Sequence, residues 1–489
     1  MDSLLSKVDK TRQIFSSSTD ENHKAKLGQY FTPSSIAVFM ASIFDIDKSL
    51  SYKILDPGAG IGSLSAALLA RLVDLDANKQ HKVTAIECDS ILVESLSEHL
   101  DKFDSSNLVV NDNFINWAKI QLESNELYDL AILNPPYKKL SSFSYDKSVL
   151  KDLGIDVVNY YAAFVALSIK LLADMGQLVA IIPRSFCNGV YFKPFRQFVL
   201  SMTRIDSIHI FDSRKEIFRD EQILQENVIL HLTKTAPQES VKISTSTDSF
   251  FKDVEIFEYP FANIVNKDDI DHFIRIPTKD FNDLLIDQSL LTQLNFLNIE
   301  VSTGPIVDFR LKDSLTIEKP LTVDSSPLLY PSHFEFVEEL NWPSTNHNKP
   351  NYLILNDKTK KMIYEKGYYT IVRRFSPKEQ KHRIIAHFVD AEKFNGYPYI
   401  AFENHLNVFH CKKKGLKKEI ALGLTIFLNS YAIDNHFRQF SGHTQINVSD
   451  LKKLPFPTLK ILEEIGNWAL RQNHITQQAI DQKVEGIFA

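Results

Sequence analysis

Four consecutive residues, Asn134-Pro135-Pro136-Tyr137, combine an amide, two rigid residues and an aromatic ring directly after the apolar run 129–133. The run has the composition of a buried parallel strand, and open α/β sheets bind ligands beyond the carboxyl ends of such strands. Asn134 and the Pro135 carbonyl offer hydrogen-bond acceptors, while the prolines stiffen the turn and contribute no N–H donor. Tyr137 adds a flat face. The combination suits a planar ring with an exocyclic amine, such as adenine, although an ordinary strand-to-loop turn is the alternative.

A glycine-rich turn, 58–62, follows the short strand candidate 53–55 and precedes a helix rich in Ala and Leu. Glycines allow a ligand to approach the backbone, and a helix N-terminus favours a carboxylate or phosphate. Glu87, at the end of the next strand candidate, is placed to accept hydrogen bonds from ribose hydroxyls. Dinucleotide-binding turns follow the pattern G-x-G-x-x-G, whereas here Ser63 occupies the last position. A nucleotide site of another kind and a purely structural turn are the two interpretations.

Strand and helix patterns alternate as far as residue 235, which predicts a parallel sheet with helices on both faces. The seven predicted strands are 53–55, 82–86, 108–110, 129–133, 177–182, 205–211 and 227–232. Before them we predict a helix from Ile36 to Phe44, with Thr32 as N-cap and Pro33 as its first residue. A loop is predicted at 138–158, and a helix from Ile461 onward closes the chain.

The composition is that of a soluble globular protein with two or three domains: 489 residues, 44% apolar and 24% charged. Membrane-span and signal-peptide patterns are lacking. The widely separated Cys88, Cys187 and Cys411 predict neither a disulfide framework nor a cysteine zinc site, and fit a reducing cytoplasm. A net charge of −6 implies that any nucleic-acid-binding surface is a local patch.

Three motifs resemble those of S-adenosylmethionine-dependent methyltransferases. Residues 56–62, Asp-Pro-Gly-Ala-Gly-Ile-Gly, resemble motif I, and 134–137 resemble motif IV of enzymes that methylate the exocyclic nitrogen of adenine. Residues 28–33, Gly-Gln-Tyr-Phe-Thr-Pro, look like motif X, and the order X–I–IV is that of the gamma subclass. The resemblance covers about residues 24–235. It implies a Rossmann-like methyltransferase domain with a seven-stranded sheet, followed by an α+β target-recognition domain.

The resemblance also implies residue roles. The implied cofactor-binding residues are Thr32, Pro33, Asp56, Gly58, Gly60, Glu87, Asp112, Phe114 and Asn134. Among them, Asp112 would contact the cofactor's adenine, with a loop-capping role as the alternative. The implied catalytic residues are Asn134, Pro135, Pro136, Tyr137 and Phe218, with no metal. Phe218 would stack on the extruded target base, or else pack in the core.

The second half of the chain is rich in basic and aromatic residues, as expected for DNA recognition. The candidate DNA-binding residues are Arg373, Arg374, Lys381, Arg383, Asn404, His405, His443 and Gln445. Lysine clusters at 358–366 and 412–418 fit the same role, although a solvated charged face is the alternative. Residues 302–305 and 440–447 resemble segments of the specificity domains of Eco57I/PstI-like adenine methylases.

These observations predict four segments: a helical arm (1–27), a catalytic domain (28–238), a connector (239–290) and a target-recognition domain (291–489). The expected function is site-specific adenine-N6 methylation of double-stranded DNA by S-adenosylmethionine, protecting bacterial or archaeal DNA in a restriction-modification system. A separately encoded endonuclease would act on the same site. RNA adenine methylation, protein glutamine methylation and catalytically silent DNA binding are the alternatives. Glutamine methyltransferases place a helical domain before motif I, unlike this chain.

Overall fold

A nine-stranded sheet forms the centre of the first of two units, Met1–Pro277 and Thr278–Ala489. The structure is a computed structural model. It describes residues 2–18, 30–76, 78–211, 226–267, 269–277, 290–337, 339–344, 349–376, 380–441 and 444–488.

The strands of the first unit are β1 (Lys53–Pro57), β2 (Lys82–Glu87), β3 (Ser106–Asn111), β4 (Tyr128–Leu133), β5 (Leu172–Pro183), β6 (Thr203–Phe211), β7 (Asn227–Lys234), β8 (Val241–Ser246) and β9 (Glu255–Tyr259). Its helices are α1 (Asp2–Ser18), α2 (Ser34–Ile43), α3 (Ser63–Leu75), α4 (Ser90–Leu100), α5 (Phe114–Ser124), α6 (Tyr145–Asp152), α7 (Tyr160–Leu171), α8 (Lys193–Met202) and α9 (Phe261–Ile264).

The predicted α/β sheet is confirmed, with all seven predicted strands present in the order β3-β2-β1-β4-β5-β7-β6. Two additional strands, β8 and β9, extend the sheet from the segment predicted as a connector, so this unit ends at Pro277 and not near residue 238. The prediction of a parallel sheet fails at β7. This strand lies between β5 and β6 and is antiparallel to both, because strand order is not visible in the strand/helix alternation.

Apolar cores cover both faces of the sheet. On one face, Ile36 and Met40 of α2 pack with Ile54 of β1, and Val8 of α1 joins the same core. The predicted arm is therefore partly a packed helix. Helix α2 begins at Ser34 with Pro33 as N-cap, not at Ile36 with Thr32, whose hydroxyl has another partner described below. The predicted loop 138–158 contains α6.

The second unit is α+β, as predicted. Its strands are β10 (Leu291–Thr292), β11 (Glu300–Thr303), β12 (Leu315–Thr316), β13 (Ser325–Leu329), β14 (Tyr352–Ile354), β15 (Tyr364–Glu365), β16 (Tyr369–Arg373), β17 (Ala386–Val389), β18 (Tyr399–Phe402), β19 (Leu406–His410) and β20 (Phe456–Pro457). Its helices are α10 (Lys418–Leu428), α11 (Tyr431–Phe440), α12 (Val448–Leu451), α13 (Leu459–Ala469) and α14 (Gln477–Phe488).

These strands form a four-stranded sheet, β11-β19-β16-β17, a five-stranded sheet, β12-β14-β13-β18-β15, and the pair β10-β20. Two helices, α13 and α14, stand where one closing helix was predicted. Across the described ranges of both units, no helix is long and apolar enough to span a membrane.

Candidate active site

The side chain of Asn134 is held in one orientation directly beyond the carboxyl end of β4. Its Nδ2 donates to the Tyr30 carbonyl at 3.0 Å and to the Thr32 hydroxyl at 3.0 Å. Its Oδ1 accepts a hydrogen bond from the Tyr137 hydroxyl at 3.0 Å. Because both N–H groups are engaged, the capacity that remains at this amide is that of an acceptor, at the second lone pair of Oδ1.

Tyr137 supports this arrangement from the other side of the turn. Its hydroxyl also lies 3.2 Å from the Ile181 carbonyl of β5, and its ring is 5.5 Å from that of Tyr30. Burial raises the Tyr137 pKa well above its ordinary value, so the phenol stays neutral and can donate to Asn134. None of the described residues donates a hydrogen bond to the Pro135 carbonyl, the second acceptor predicted at this turn.

A cleft of about 640 Å³ lies beside this turn, at the carboxyl ends of β1, β2 and β4. Its lining residues are Tyr30, Phe31, Thr32, Gly58, Ala59, Gly60, Ile61, Ser63, Leu64, Glu87, Cys88, Asn134, Pro136 and Phe164. The cleft therefore brings together the motifs around residues 30–32, 58–64, 87 and 134–136, which are far apart in the sequence.

The glycine turn gives the cleft its open floor. Gly58 and Gly60 have φ angles of +75° and +58°, a region that other residues adopt rarely. A Cβ atom on Gly58 would lie 3.4 Å from the Phe164 ring, and one on Gly60 would lie 3.8 Å from the Phe31 ring. Side chains at these two positions would fill the space in which a ligand must approach the backbone.

Two buried carboxyl groups lie at the ends of neighbouring strands. Glu87 accepts hydrogen bonds from the N–H groups of Gly60 and Asp89, both at 2.8 Å, and thus ties the glycine turn to β2. Burial raises the Glu87 pKa, although these two hydrogen bonds oppose the shift.

Asp56 is fully buried and accepts a hydrogen bond from the Ser65 hydroxyl, while its Oδ1 has no partner among the described residues. Burial raises the Asp56 pKa to about 7 against the opposing effect of Ser65. The side chain lies beneath the glycine turn and not on the surface of the cleft.

Three other predicted site residues do not line the cleft, and a fourth lies outside the described residues. Asp112 is exposed beyond β3 and accepts a hydrogen bond from the Asn113 N–H at 2.7 Å. Phe114 is buried, with its ring 4.8 Å from that of Phe164. Pro33 is outside the lining, and Phe218 lies outside the described residues. Sequence reasoning missed Phe164, because a helical aromatic residue carries no motif.

The cleft fits S-adenosylmethionine by its own features. Glycines at positive φ leave room against the backbone, Phe31, Ile61 and Phe164 provide apolar surface, and Glu87 provides a carboxylate for hydroxyl groups. In the part of the chain that the structure describes, no group of three or more His, Cys, Asp or Glu side chains could hold a metal ion.

In the second unit, three of the predicted segments converge. The Arg374 N–H donates to the His405 carbonyl at 2.8 Å, and the Ile446 N–H donates to the Arg374 carbonyl at 2.7 Å. Gln445 forms a bridge with Phe375, whose exposed ring lies 5.1 Å from that of His405. Arg374, Asn404, His405 and Gln445 thus lie together, and we call these four residues and Phe375 the recognition patch.

His405 is fixed within the recognition patch by a buried acid. Its Nδ1 lies 2.5 Å from Glu403 Oε1, and its backbone N–H donates to Glu403 Oε2 at 2.9 Å. The His405 side chain is 47% exposed and that of Glu403 is 2% exposed, so the imidazole faces solvent on a fixed support. This arrangement leaves Nε2 available to a ligand.

The other predicted DNA-binding residues lie elsewhere. Arg373 donates to His387 at 2.9 Å and to the Phe334 carbonyl at 2.6 Å. Arg383 is 1% exposed, with its guanidinium 5.7 Å from the centre of the Phe437 ring. Lys381 is exposed, and His443 lies outside the described residues. The positions of Arg373 and Arg383 favour packing roles.

Two solved structures share the fold. MmeI, a type IIL restriction-modification enzyme in complex with DNA, matches with a TM-score of 0.60 and 11% identity, over 97% of this chain and 78% of that chain. The DrdV–DNA complex matches with a TM-score of 0.51 and 14% identity, over 93% and 58%.

Two relatives match at much higher identity. Type II methyltransferase M.BsuBI of Bacillus subtilis is 44% identical over 99% of this chain and 98% of its own length. Type II methyltransferase M.PstI of Providencia stuartii is 38% identical over 94% and 92%. Fold and relatives together define the class, a DNA methyltransferase of a type II restriction-modification system. The chain belongs to the Eco57I restriction-modification methylase family, whose model matches residues 24–218.

Proposed function

We propose that this enzyme transfers the methyl group of S-adenosylmethionine to N6 of an adenine within a specific sequence of double-stranded DNA. The orientation of the Asn134 amide carries the proposal. Tyr30 and Thr32 engage both of its N–H groups, so the amide presents an acceptor at the edge of the cofactor cleft. An acceptor at this position suits an exocyclic amine.

Asn134 Oδ1 and the Pro135 carbonyl would each accept one hydrogen bond from N6. The N6 lone pair of free adenine is delocalised into the ring, and two acceptors favour a pyramidal nitrogen with a localised lone pair. These contacts strengthen as positive charge develops on the nitrogen, so they stabilise the transition state more than the ground state. Each contributes about 1.5–3 kcal/mol.

When bound, S-adenosylmethionine would supply a methyl group activated on sulfur. N6 would take this methyl group as the S–C bond breaks with its electron pair left on the sulfur, and the nitrogen would release one proton to solvent water. Gly58, Gly60, Glu87 and Phe164 would bind and orient this group in the cleft. The Asn134 turn would aim N6 along the line of attack. Orientation therefore matters more here than a strong base or a metal ion.

The target adenine must leave the helix before it can reach Asn134, at a cost of a few kcal/mol. Stacking on Tyr137 and, as the family resemblance implies, on Phe218 would offset that cost. The recognition patch supplies side chains that bind base edges: an arginine, an asparagine, a histidine and a glutamine. The same methylation would block cleavage by a separately encoded endonuclease.

Methylation mapping tests the proposal. The chain is expressed in a host that lacks DNA methylation, and the DNA is sequenced with detection of N6-methyladenine. The expected result is one methylated motif, absent with the Asn134→Ala variant. Methylcytosine in place of methyladenine, or unmodified DNA from a protein that binds S-adenosylmethionine, would overturn it.

A further inference from the structure

Two asparagines in the described part of the first unit have both side-chain polar atoms buried without a hydrogen-bond partner. They are Asn188, 1% exposed, and Asn227, which is fully buried. A buried polar group left unpaired costs about 1–3 kcal/mol, so neither side chain stabilises the fold by hydrogen bonding. Asn188 lies in a loop, but Asn227 is the first residue of β7, where sheet geometry defines its side.

Asn227 and Asn134 face the same side of the sheet. Side chains alternate along a strand, so Asn227 shares a face with Ile229, which packs in the core that contains helix α2. Asn134 reaches that same face, because its amide bonds Thr32 immediately before α2. The two amides therefore flank the carboxyl end of β5 on one side of the sheet.

The strand register gives the spacing between Asn134 and Asn227. Leu133, just before Asn134, pairs with Ala180 of β5, whereas Asn227 pairs with Pro183. The two residues are thus separated by two strand spacings across β5 and by two residues along it, about 12 Å between their backbone positions. A purine ring with a hydrogen bond at each end fits such a span. Asn227 is not part of the cofactor cleft, so that ligand does not satisfy it.

We propose that Asn227 binds the flipped adenine, its Nδ2 donating to a ring nitrogen of the base while Asn134 and Pro135 hold N6. This inference rests on the function proposed above and adds a specificity-determining residue to it. Ring nitrogens of adenine are acceptors only, so an amide N–H aimed at the ring complements them. Both side-chain atoms of Asn227 would be desolvated before the base arrives, which avoids the cost of removing water during binding.

Deaza analogues of adenine test the contact directly. Duplexes carry the mapped motif with adenine, 1-deazaadenine, 3-deazaadenine or 7-deazaadenine at the target position. The wild-type chain, Asn227→Ala and Asn227→Leu are compared by kcat/KM for each duplex. Cofactor affinity and thermal unfolding are measured alongside. Ser168→Ala is the matched control, because Ser168 on α7 is also fully buried with an unpartnered hydroxyl.

We expect one analogue to lower wild-type kcat/KM by about tenfold or more, the effect of one lost hydrogen bond to a desolvated group. The kcat/KM of Asn227→Ala on adenine should be lower than that of the wild type by about the same factor. The same analogue should cause no further decrease in this variant. Asn227→Leu should unfold at the same temperature as wild type or higher, since no partner is lost. Ser168→Ala should behave as wild type throughout.

Two results separate the inference from the proposed function. Wild-type protein that fails to methylate adenine in the natural duplex overturns the proposed function itself. If the wild-type protein methylates the natural duplex but the Asn227 variants discriminate among the analogues as the wild type does, only the role of Asn227 is overturned. Destabilisation of both Asn227 variants with unchanged analogue ratios would assign the residue to folding and equally overturn the inference.

Discussion

The turn at 134–137 is fixed by hydrogen bonds to other residues of the first unit. In the basic stretch 358–383, by contrast, some charged side chains are buried and others are exposed. Around the turn, Tyr30 and Thr32 accept hydrogen bonds from both N–H groups of Asn134, and Tyr137 donates to one lone pair of its oxygen, which holds the amide in one orientation. In the basic stretch, Arg383 is buried while Arg374 joins the recognition patch. Chemistry on a bound base needs fixed polar atoms, but charge density alone does not determine where a long side chain points.

The most severe test of this comparison is Asn134→Ala. We expect kcat to fall by about 10³-fold, the upper range for removing one preorganised polar contact to a transition state. Cofactor affinity should change by less than about fivefold, because the glycine turn, Glu87 and Phe164 supply most of the cleft. Radiolabelled methyl transfer and calorimetric cofactor binding measure the two.

The matched control is Asn116→Ala on α5, outside the cleft lining, which should retain wild-type kcat. If Asn134→Ala retained more than a tenth of wild-type kcat, the turn would be a scaffold and the contrast with the basic stretch would disappear.

The next test concerns Asp56 beneath the glycine turn. Its folded pKa of about 7 exceeds its ordinary value of 3.8, so the folded protein binds more protons in this range than the unfolded chain does. The contribution of Asp56 to stability is therefore full below pH 4 and is lost as the pH rises towards 7. Asp56→Asn removes this dependence.

Relative to wild type, the Asp56→Asn free energy of unfolding should rise by about 3 kcal/mol from pH 5 to pH 8 in urea titrations. Asp101→Asn, at an exposed position, provides the background curve. If the free energy of unfolding of Asp56→Asn instead fell relative to wild type as the pH rose, Asp56 would be ionised and stabilised by a charge partner.

How far the sequence determines the site differs between the two units. Asn134, Gly58 and Glu87 were identified because each follows a predicted strand, and parallel topology brings strand ends together. The hydrogen bond between Asn134 and Thr32 was not predicted. The sequence around Thr32 indicates an N-cap, and only the fold brings its hydroxyl to an amide 102 positions away. Adjacent Arg373 and Arg374 have different surroundings, because Arg373 ends β16 and donates to His387 and the Phe334 carbonyl, whereas Arg374 lies just beyond the strand. The backbone partners of Arg374, His405 and Ile446, are distant in sequence, so no local pattern predicts them.

A paired substitution sharpens that contrast within the basic stretch. Arg383→Met should lower the free energy of unfolding by about 2 kcal/mol, because it removes a buried guanidinium from among its contacts. Arg374→Met should change stability by less than about 1 kcal/mol but weaken binding of the methylated motif by about tenfold. Urea unfolding and fluorescence-anisotropy titrations at constant salt measure both variants. The reverse pattern would show that burial does not separate packing arginines from base-reading ones.

Thr32→Val tests the support of the turn rather than the turn itself. Valine keeps the shape of Thr32 but offers no acceptor to Asn134 Nδ2, which lies 3.0 Å from the hydroxyl. We expect kcat to fall by about fivefold with KM for DNA unchanged, since one hydrogen bond of about 1 kcal/mol positions the amide. Thr32→Ser should restore activity. A loss that appears only in KM would assign Thr32 to binding and not to orientation.

The smallest effect is expected at Lys414, in the lysine cluster 412–418. Its ammonium lies 3.1 Å from Glu365 Oε1, and both side chains are more than half exposed, at 64% and 54%. Exposed pairs of this kind contribute about 0–1 kcal/mol. Lys414→Ala should leave methylation within twofold of wild type and keep the dependence of DNA affinity on salt. A contact to one phosphate would instead lower the log–log salt slope by about 0.9. That result would restore charge density as a guide to the DNA-binding surface, because a lysine already paired within its own unit would then also bind DNA.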